Sequence, residues 1–471
     1  MIIGREKELE ILNGLLESDE SQFVAVYGRR RIGKTFLVRQ AFKGAFSFQH
    51  TGLANADKKS QLAEFSASLS KWGGAQSYSP KTWYEAFHML ENLLESKPKG
   101  KKVVFIDELP WMDTAKSDFV SALEHFWNNW ASARNDIILI VCGSATSWII
   151  SKIVMDKGGL HNRLTNQILL RPFTLRECEL YAKSSGLEFG RKDIIELYMA
   201  LGGVPFYWSF LKKGESVAQN LDRLFFSELA PLGREFDALY ASLFKNAAPY
   251  IEVVKALSTK KSGLLREAIL QETKLSDNAQ FSKILTELEQ SGFIRKYYVM
   301  GKKERDALYQ LMDNYTLFYF QFIRENNSHD ESFYSHRYVT TAYKIWSGLA
   351  FERVCLHHIN QIKQALGISG ISANVHSWTT KANDSHKGAQ IDLLIDRADN
   401  CINICEIKFN SEEFAIDKKY DAELSSKISI FKEVSKTRKN VFLTMITANG
   451  LKKNQYSGRV AVELSAEKLF G

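Results

Sequence analysis

The stretch Gly28-Arg29-Arg30-Arg31-Ile32-Gly33-Lys34-Thr35 has the spacing G-x-x-x-x-G-K-[ST]. It follows an unbroken apolar run, Phe23 to Tyr27, and precedes the helical pattern FLVRQAF, the context in which such a loop wraps phosphate. Glycines let the backbone aim its amides and the helix N-terminus at phosphate oxygens. Lys34 would bridge the terminal phosphates and Thr35 would offer its hydroxyl to magnesium. Gly28, Ile32, Gly33, Lys34 and Thr35 are therefore the nucleotide-contacting candidates. Arg29 to Arg31 occupy positions that face away from a nucleotide, which leaves solvent, an interface or nucleic acid as their partners.

A second apolar run in KKVVFIDELPW ends in Asp107 and Glu108. Asp107 at a strand's carboxyl end can hold the magnesium shell, and Glu108 can orient or deprotonate an attacking water. A third run ends in CGSATSWII, where Ser144 is either a polar sensor of the γ-phosphate or an ordinary turn serine. Arg163, in GGLHNRLTNQILLRPF, is a candidate arginine finger for the charge that develops on hydrolysis.

The distal stretch GAQIDLLIDRADNCINICEIKF carries another constellation. Alternation along a strand puts Glu406 and Lys408 on one face with Ile402 and Ile404, and a turn at Ala398 to Asn400 would set Asp392 opposite Glu406. Upstream, Glu352 intrudes into a helix stripe of Ile345, Leu349, Leu356 and Ile359, where a carboxylate is costly without a cation or donor. Glu352, Asp392 and Glu406 could jointly hold magnesium, and Lys408 could position a water or stabilise pentavalent phosphate charge. The alternative is a structural hairpin with a Glu/Lys pair. Lys427, on LSSKISIF, is either a further basic group for this site or, on the blander and favoured reading, a solvated lysine. His357 and His358 point apart on a helix, which speaks against a shared metal, and Cys401 and Cys405 read as buried thiols.

The elements that would position these groups give an α/β multidomain fold class. Up to about Lys212, short strands (23–27, 103–106, 137–142) alternate with helical patterns, as in βαβ units around a parallel sheet. From about Phe225 the pattern is helix, turn, helix, strand. Phe281, Ile284, Leu285 and Leu288 make one apolar face there, Asp277 is a candidate cap, and Gly292 ends the helix. Strands 293–298 and 307–312 flank the charged turn GKKERD, which is a winged-helix pattern whose basic groups Lys302, Lys303 and Arg305 sit in the wing. After the polar segment ENNSHDES a further α/β unit begins, with a helix around 346–366 and strands near 391–395, 401–409 and 441–446. The expected domains are 1–212, 213–325 and 333–471.

GREKELEIL, YGRRRIGKT, FIDELPW, the CGS strand end, RPF and LGGVPFYW come in an order that resembles the archaeal-type ATPase family of the AAA+/STAND superfamily, over about 1–208. That resemblance implies an AAA+-like parallel sheet, places Arg5 near the nucleotide base and packs Pro205 on the adenine; as a bare sequence feature, Pro205 is also a helix-breaking turn. No sensor-2 arginine is apparent. GLAFERVC, AQIDLLIDR and CEIKF resemble the restriction-endonuclease-like domain of the PD-(D/E)XK superfamily, over about 333–442, with Ile391 where that motif has proline. This resemblance implies magnesium-dependent phosphodiester cleavage.

Composition bounds these readings. With 471 residues, 45% hydrophobic, 25% charged and 7 prolines, the chain is globular and long enough for several domains. Its longest apolar run, Ile137 to Cys142, is far too short to cross a bilayer, and the start MIIGREKELE has no signal core, so no membrane partner and a cytoplasmic location are expected. Five cysteines form no disulfide framework or zinc pattern. A net charge of +8 suits a polyanionic partner such as DNA. The expected cofactors are ATP and Mg2+, and a protein partner or homo-oligomer stays open. One functional reading is an ATP-hydrolysing protein that couples nucleotide state to DNA binding or DNA cleavage. The other is a STAND-like signalling switch whose C-terminal domain does not cut.

Overall fold

The apolar runs expected as buried strands form the middle of a parallel sheet in the computed structural model, which describes residues 2–74, 79–155, 158–301, 306–326, 329–338, 340–382 and 387–471. Five strands build it: β1 (Gln22–Tyr27), β2 (Phe46–Thr51), β3 (Lys102–Asp107), β4 (Ile137–Gly143) and β5 (Asn166–Leu169). Their order is β2-β3-β4-β1-β5, and every neighbouring pair is parallel. A five-stranded parallel sheet of this kind is typical of P-loop ATPases.

Every residue of β1, β3 and β4 is buried, because helices cover both faces. Alternation splits the side chains cleanly. Phe23, Ala25, Val104, Ile106, Leu139 and Val141 join one core, while Val24, Val26, Val103, Phe105, Ile138 and Ile140 join the other. Strands β2 and β5 go beyond the sequence pattern; β2 is only half-buried and β5 has four residues, so neither reads as an apolar run.

The chain divides into two compact units, Met1–Pro172 and Phe173–Gly471. The expected borders at 212/213 and 325/333 both fall inside the second unit, where one hydrophobic core runs from Phe173 to Phe470. An aromatic cluster explains its continuity. Phe318 and Phe322, before the polar segment, pack edge-on against Trp346 beyond it, at centroid distances of 5.6 and 5.0 Å.

Within the second unit, helices Ala248–Ser258, Arg266–Thr273 and Ala279–Gln290 accompany a small antiparallel sheet of order β6-β8-β7, formed by β6 (Leu264–Leu265), β7 (Ile294–Tyr297) and β8 (Leu308–Leu311). Phe281, Ile284, Leu285 and Leu288 are buried as expected. The cap differs. Asn278 accepts the Phe281 amide at 3.0 Å, whereas Asp277 is paired with Arg266. Lys302, Lys303 and Arg305 lie outside the described residues.

A second five-stranded sheet has the order β13-β12-β11-β10-β9. Its strands are β9 (Ala373–Thr380), β10 (Ala389–Arg397), β11 (Cys401–Lys408), β12 (Asn440–Thr447) and β13 (Val462–Ser465). The first three run antiparallel and the last three parallel. Helix Thr341–His357 contacts β11 and helix Lys418–Ser435 contacts β10. The apolar stripe expected on the first of these helices is corrected: Ile345 is 69% exposed, and the core face is Tyr343, Trp346, Ala350, Phe351, Val354 and Cys355. Among the described residues, no helix is long and apolar enough to cross a membrane.

Candidate functional site

The phosphate loop leaves the carboxyl end of β1. Gly28 (φ 140°) and Gly33 (φ 90°) adopt backbone conformations that L side chains avoid. Gly28 also has no room for a side chain, since a Cβ would come within 2.3 Å of the Leu170 carbonyl oxygen. At Gly33 a Cβ would meet no protein atom within 4 Å, so the loop is open on that side. Ile32 is buried beneath the loop. Lys34 is buried and its ammonium donates to the carbonyls of Gly28 (2.9 Å) and Arg29 (2.8 Å). Burial pushes Lys34 below its ordinary value, with Glu108 and Asp107 among the groups that oppose the shift.

Because β4 lies between β3 and β1, the ends of all three strands converge. Thr35, on helix Lys34–Ala41, donates its hydroxyl to Asp107 Oδ2 at 2.7 Å. Ser144 follows β4, and both its amide (3.2 Å) and its hydroxyl (2.9 Å) donate to Glu108 Oε2. Ser144 thus holds Glu108. Glu108 itself has φ 47°, and its turn is packed between two glycines. A Cβ on Gly52 would meet the Glu108 carbonyl at 2.8 Å, and one on Gly143 would meet Pro110 Cδ at 2.7 Å. Gln61, fully buried, ties Leu53 to the Trp111 carbonyl and fixes the same turn.

The distal carboxylates occupy the second sheet. β10 and β11 pair with Leu393 opposite Cys405, and that register carried one step further sets Asp392 opposite Glu406. A register shift between Ile391 and Leu394 intervenes on the β9 side. It leaves Ile391 and Leu394 in one core and Leu393 in the other, breaking the simple alternation around Asp392. Asp392 Oδ2 and Glu352 Oε1 both accept from Lys261 Nζ, at 3.2 and 2.6 Å. Burial, with Asp392 nearby, pushes Glu352 up to about 7. Glu406, also buried, accepts from Lys427 Nζ at 2.5 Å and from the Tyr420 hydroxyl at 3.2 Å. Lys408 Nζ lies 4.8 Å from the centroid of the Tyr420 ring.

Lys427 is therefore not a solvated lysine; it pairs with Glu406. The three carboxylates are not gathered as one set. Among the described residues, no group of three or more His, Cys, Asp or Glu side chains is placed to hold a metal ion. Glu352 and Asp392 share Lys261, while Glu406 sits with Lys427 and Tyr420.

Residues 2–209 match a family described as an ATPase domain predominantly from Archaea. These residues form an archaeal-type ATPase domain. The chain is also 24% identical over 405 residues to an uncharacterized protein of Methanocaldococcus jannaschii, covering 84% of each chain. The fold is similar to that of a Walker-type ATPase of Pyrococcus abyssi, with 16% identity, TM-score 0.50, and coverage of 68% of this chain and 96% of that one. The ORC2 protein of Aeropyrum pernix, solved in ADPNP–ADP complexes, aligns with TM-score 0.40 at 14% identity, over 67% of this chain and 92% of that one.

Within the ATPase domain two of the expected residues have clear positions. Arg5 is buried and donates to the Arg171 carbonyl at 2.7 Å, just past β5 and at the same edge as the phosphate loop. Arg163 is at the opposite edge. Thr165 bonds the Phe23 carbonyl and β5 runs parallel to β1, so Arg163 lies roughly 20 Å along the strands from its own loop. It does not reach the phosphate site of its own chain. Pro205 belongs to the second unit, where it is the first residue of the short helix Pro205–Trp208. Tyr420, Lys261 and Gln61 escape sequence reasoning. Tyr420 and Lys427 are seven apart on one helix, a spacing that places both on Glu406's side, whereas nothing local marks Lys261.

Proposed function

We propose that this protein binds and hydrolyses ATP with Mg2+ and couples its nucleotide state to DNA binding and to metal-dependent DNA cleavage by its C-terminal domain. The phosphate loop fits the nucleotide: its glycine backbone is open at Gly33, Lys34 is buried among loop carbonyls that a phosphate would replace, and Thr35 already meets Asp107. Gly28, Ile32, Gly33, Lys34 and Thr35 would hold the phosphates, Thr35 and Asp107 would hold magnesium, and Glu108, fixed by Ser144, would orient the water. Arg5 is the candidate for the base. Arg163 would serve hydrolysis only from a neighbouring copy, which accords with a homo-oligomer.

The observation that carries the cleavage reading is Lys261. Its ammonium bridges Glu352 and Asp392 and so stands in for a cation there. Glu406, on the facing strand but held by Lys427 and Tyr420, would have to join Glu352 and Asp392 to complete a PD-(D/E)XK-like set, in which Lys408 would steady phosphate charge. A bound magnesium would supply Lewis-acid activation of water and phosphate. We read residues 213–325 as the winged-helix domain, supported by three helices beside a three-stranded antiparallel sheet, and as the DNA-contacting module.

The STAND-like switch with a non-cleaving C-terminal domain is the second reading. What favours it is that the same two carboxylates are already engaged by Lys261, and Glu406 by Lys427. Incubating the full chain with plasmid and single-stranded DNA, Mg2+ or Mn2+, with and without ATP, separates the two. Nicking that disappears in Glu406→Ala supports cleavage; ATP turnover with no nicking under any divalent metal supports the switch.

A further inference from the structure

Lys261 is the last place from which a counter-ion for Asp392 would be expected, since it lies 131 residues earlier in the chain. It sits in the turn between helix Ala248–Ser258 and β6, and that turn is anchored at its backbone. The Lys261 carbonyl accepts from Arg353 Nη2 at 2.8 Å and from Gln310 Nε2 at 2.7 Å. Arg353 is fully buried, also donates to the Leu311 carbonyl at 2.7 Å, and follows Glu352 in sequence. The turn is thus fastened to the helix that carries one of the two carboxylates. The side chain is not enclosed in the same way: Lys261 is about half exposed, and the adjacent Lys260 is exposed.

The two carboxylates have few other partners that could replace Lys261. Asp392 Oδ1 accepts from Gln390 Nε2 at 3.0 Å, and its other oxygen faces Lys261. Glu352 is buried; Arg353 Nη1 lies 4.0 Å from its Oε2 without hydrogen-bonding it, the Nε and Nη2 of that guanidinium are taken by backbone carbonyls, and the buried Arg295 adds positive charge nearby without bonding either carboxylate. Removing the ammonium would leave two buried or half-buried carboxylates close together, an arrangement that demands a cation. A dication of oxygen preference meets that demand better than one ammonium.

We propose that Lys261 is a built-in counter-ion that keeps the Glu352–Asp392 pair closed to divalent metal, and that the phosphate backbone of bound DNA draws it off and opens the pair. This rests on the cleavage reading for the function of the opened site, but the gate itself is a statement about metal binding. Exchange is balanced in charge: the ammonium passes from carboxylate to phosphate, and the carboxylates pass from ammonium to metal. The half-exposed ammonium beside Lys260 gives the phosphate access.

The test measures Mn2+ binding to the full chain by electron paramagnetic resonance of free Mn2+, without nucleotide. Lys261→Gln should gain a site at least about tenfold tighter than wild type, and Lys261→Gln with Asp392→Asn should lose it again. Duplex oligonucleotide, corrected for Mn2+ held by the DNA alone, should tighten Mn2+ binding to wild type and leave Lys261→Gln unchanged. Equal affinity in wild type and a folded Lys261→Gln overturns the gate. If that variant fails to fold, the absence of DNA-linked tightening in wild type overturns it instead. Nicking followed in parallel keeps the two claims apart: a tight Mn2+ site in Lys261→Gln with no nicking upholds the gate and sinks cleavage, whereas nicking by wild type that Lys261→Gln leaves unaltered sinks the gate.

Discussion

Ser144 donates twice to one oxygen of Glu108, through its amide and its hydroxyl, and so fixes the carboxylate that follows the β3 strand end. The serine after the third apolar strand therefore holds Glu108, the carboxylate proposed to orient the attacking water, instead of lying idle in a turn. Ser144→Ala keeps the amide donor and removes the hydroxyl. ATP turnover should fall about tenfold while nucleotide affinity stays within twofold, roughly the loss of one hydrogen bond to a charged group. Steady-state kinetics alongside equilibrium nucleotide binding checks this; equal kcat in both proteins would refute it.

Gly28 tests the packing of the phosphate loop. A Cβ at that position would lie 2.3 Å from the Leu170 carbonyl, and the backbone there is at φ 140°. Gly28→Ala should cost about 2 kcal/mol of stability in the first unit and reduce nucleotide affinity, because backbone and loop cannot both keep their places. Denaturant unfolding with nucleotide titration reads both quantities.

Lys34→Ala should weaken ATP binding by roughly 10- to 100-fold, the worth of a charge-assisted hydrogen bond in a buried setting. Fluorescent-nucleotide titration is the measurement. Retained affinity would show that the loop does not hold the phosphates.

His358 gives a pH signature. Its Nδ1 donates to the Val354 carbonyl at 2.7 Å, and its Nε2 accepts the Leu175 amide at 2.9 Å, so the buried ring must be neutral. Burial lowers it from 6.5 to about 4. Between those values the unfolded chain binds the proton and the folded chain does not. Stability is therefore lost as pH falls from about 6.5 towards 4, by up to ~3 kcal/mol. His50 in the first unit is lowered to about 4 as well, so the comparison must be internal. His358→Gln should flatten the fall in stability of the second unit across that window, and parallel curves would contradict the assignment.

Much of this is legible in the sequence because the motifs sit on strands buried on both faces. The loop after FVAVY and the acidic pair after VVFI need only an apolar run and a spacing to be placed. Asp392 opposite Glu406 follows from strand alternation and a short turn. What fails does so for identifiable reasons. The helix Thr341–His357 is surrounded on most sides, so its apolar residues show no clean stripe, and periodicity points Ile345 inward where the fold buries Trp346. Asp277 and Asn278 are both good caps, and Arg266 decides between them by taking the aspartate. Lys261 cannot be found at all, because its partners come from elements 91 and 131 residues away. Ionic partners chosen by tertiary structure leave no local pattern.

The most direct test of the central claim is one preparation assayed for two activities. Asp392→Ala should abolish metal-dependent nicking of plasmid DNA while ATP turnover stays within twofold of wild type. Nicking that persists unchanged in Asp392→Ala would contradict the assignment of a cleavage site to the C-terminal domain.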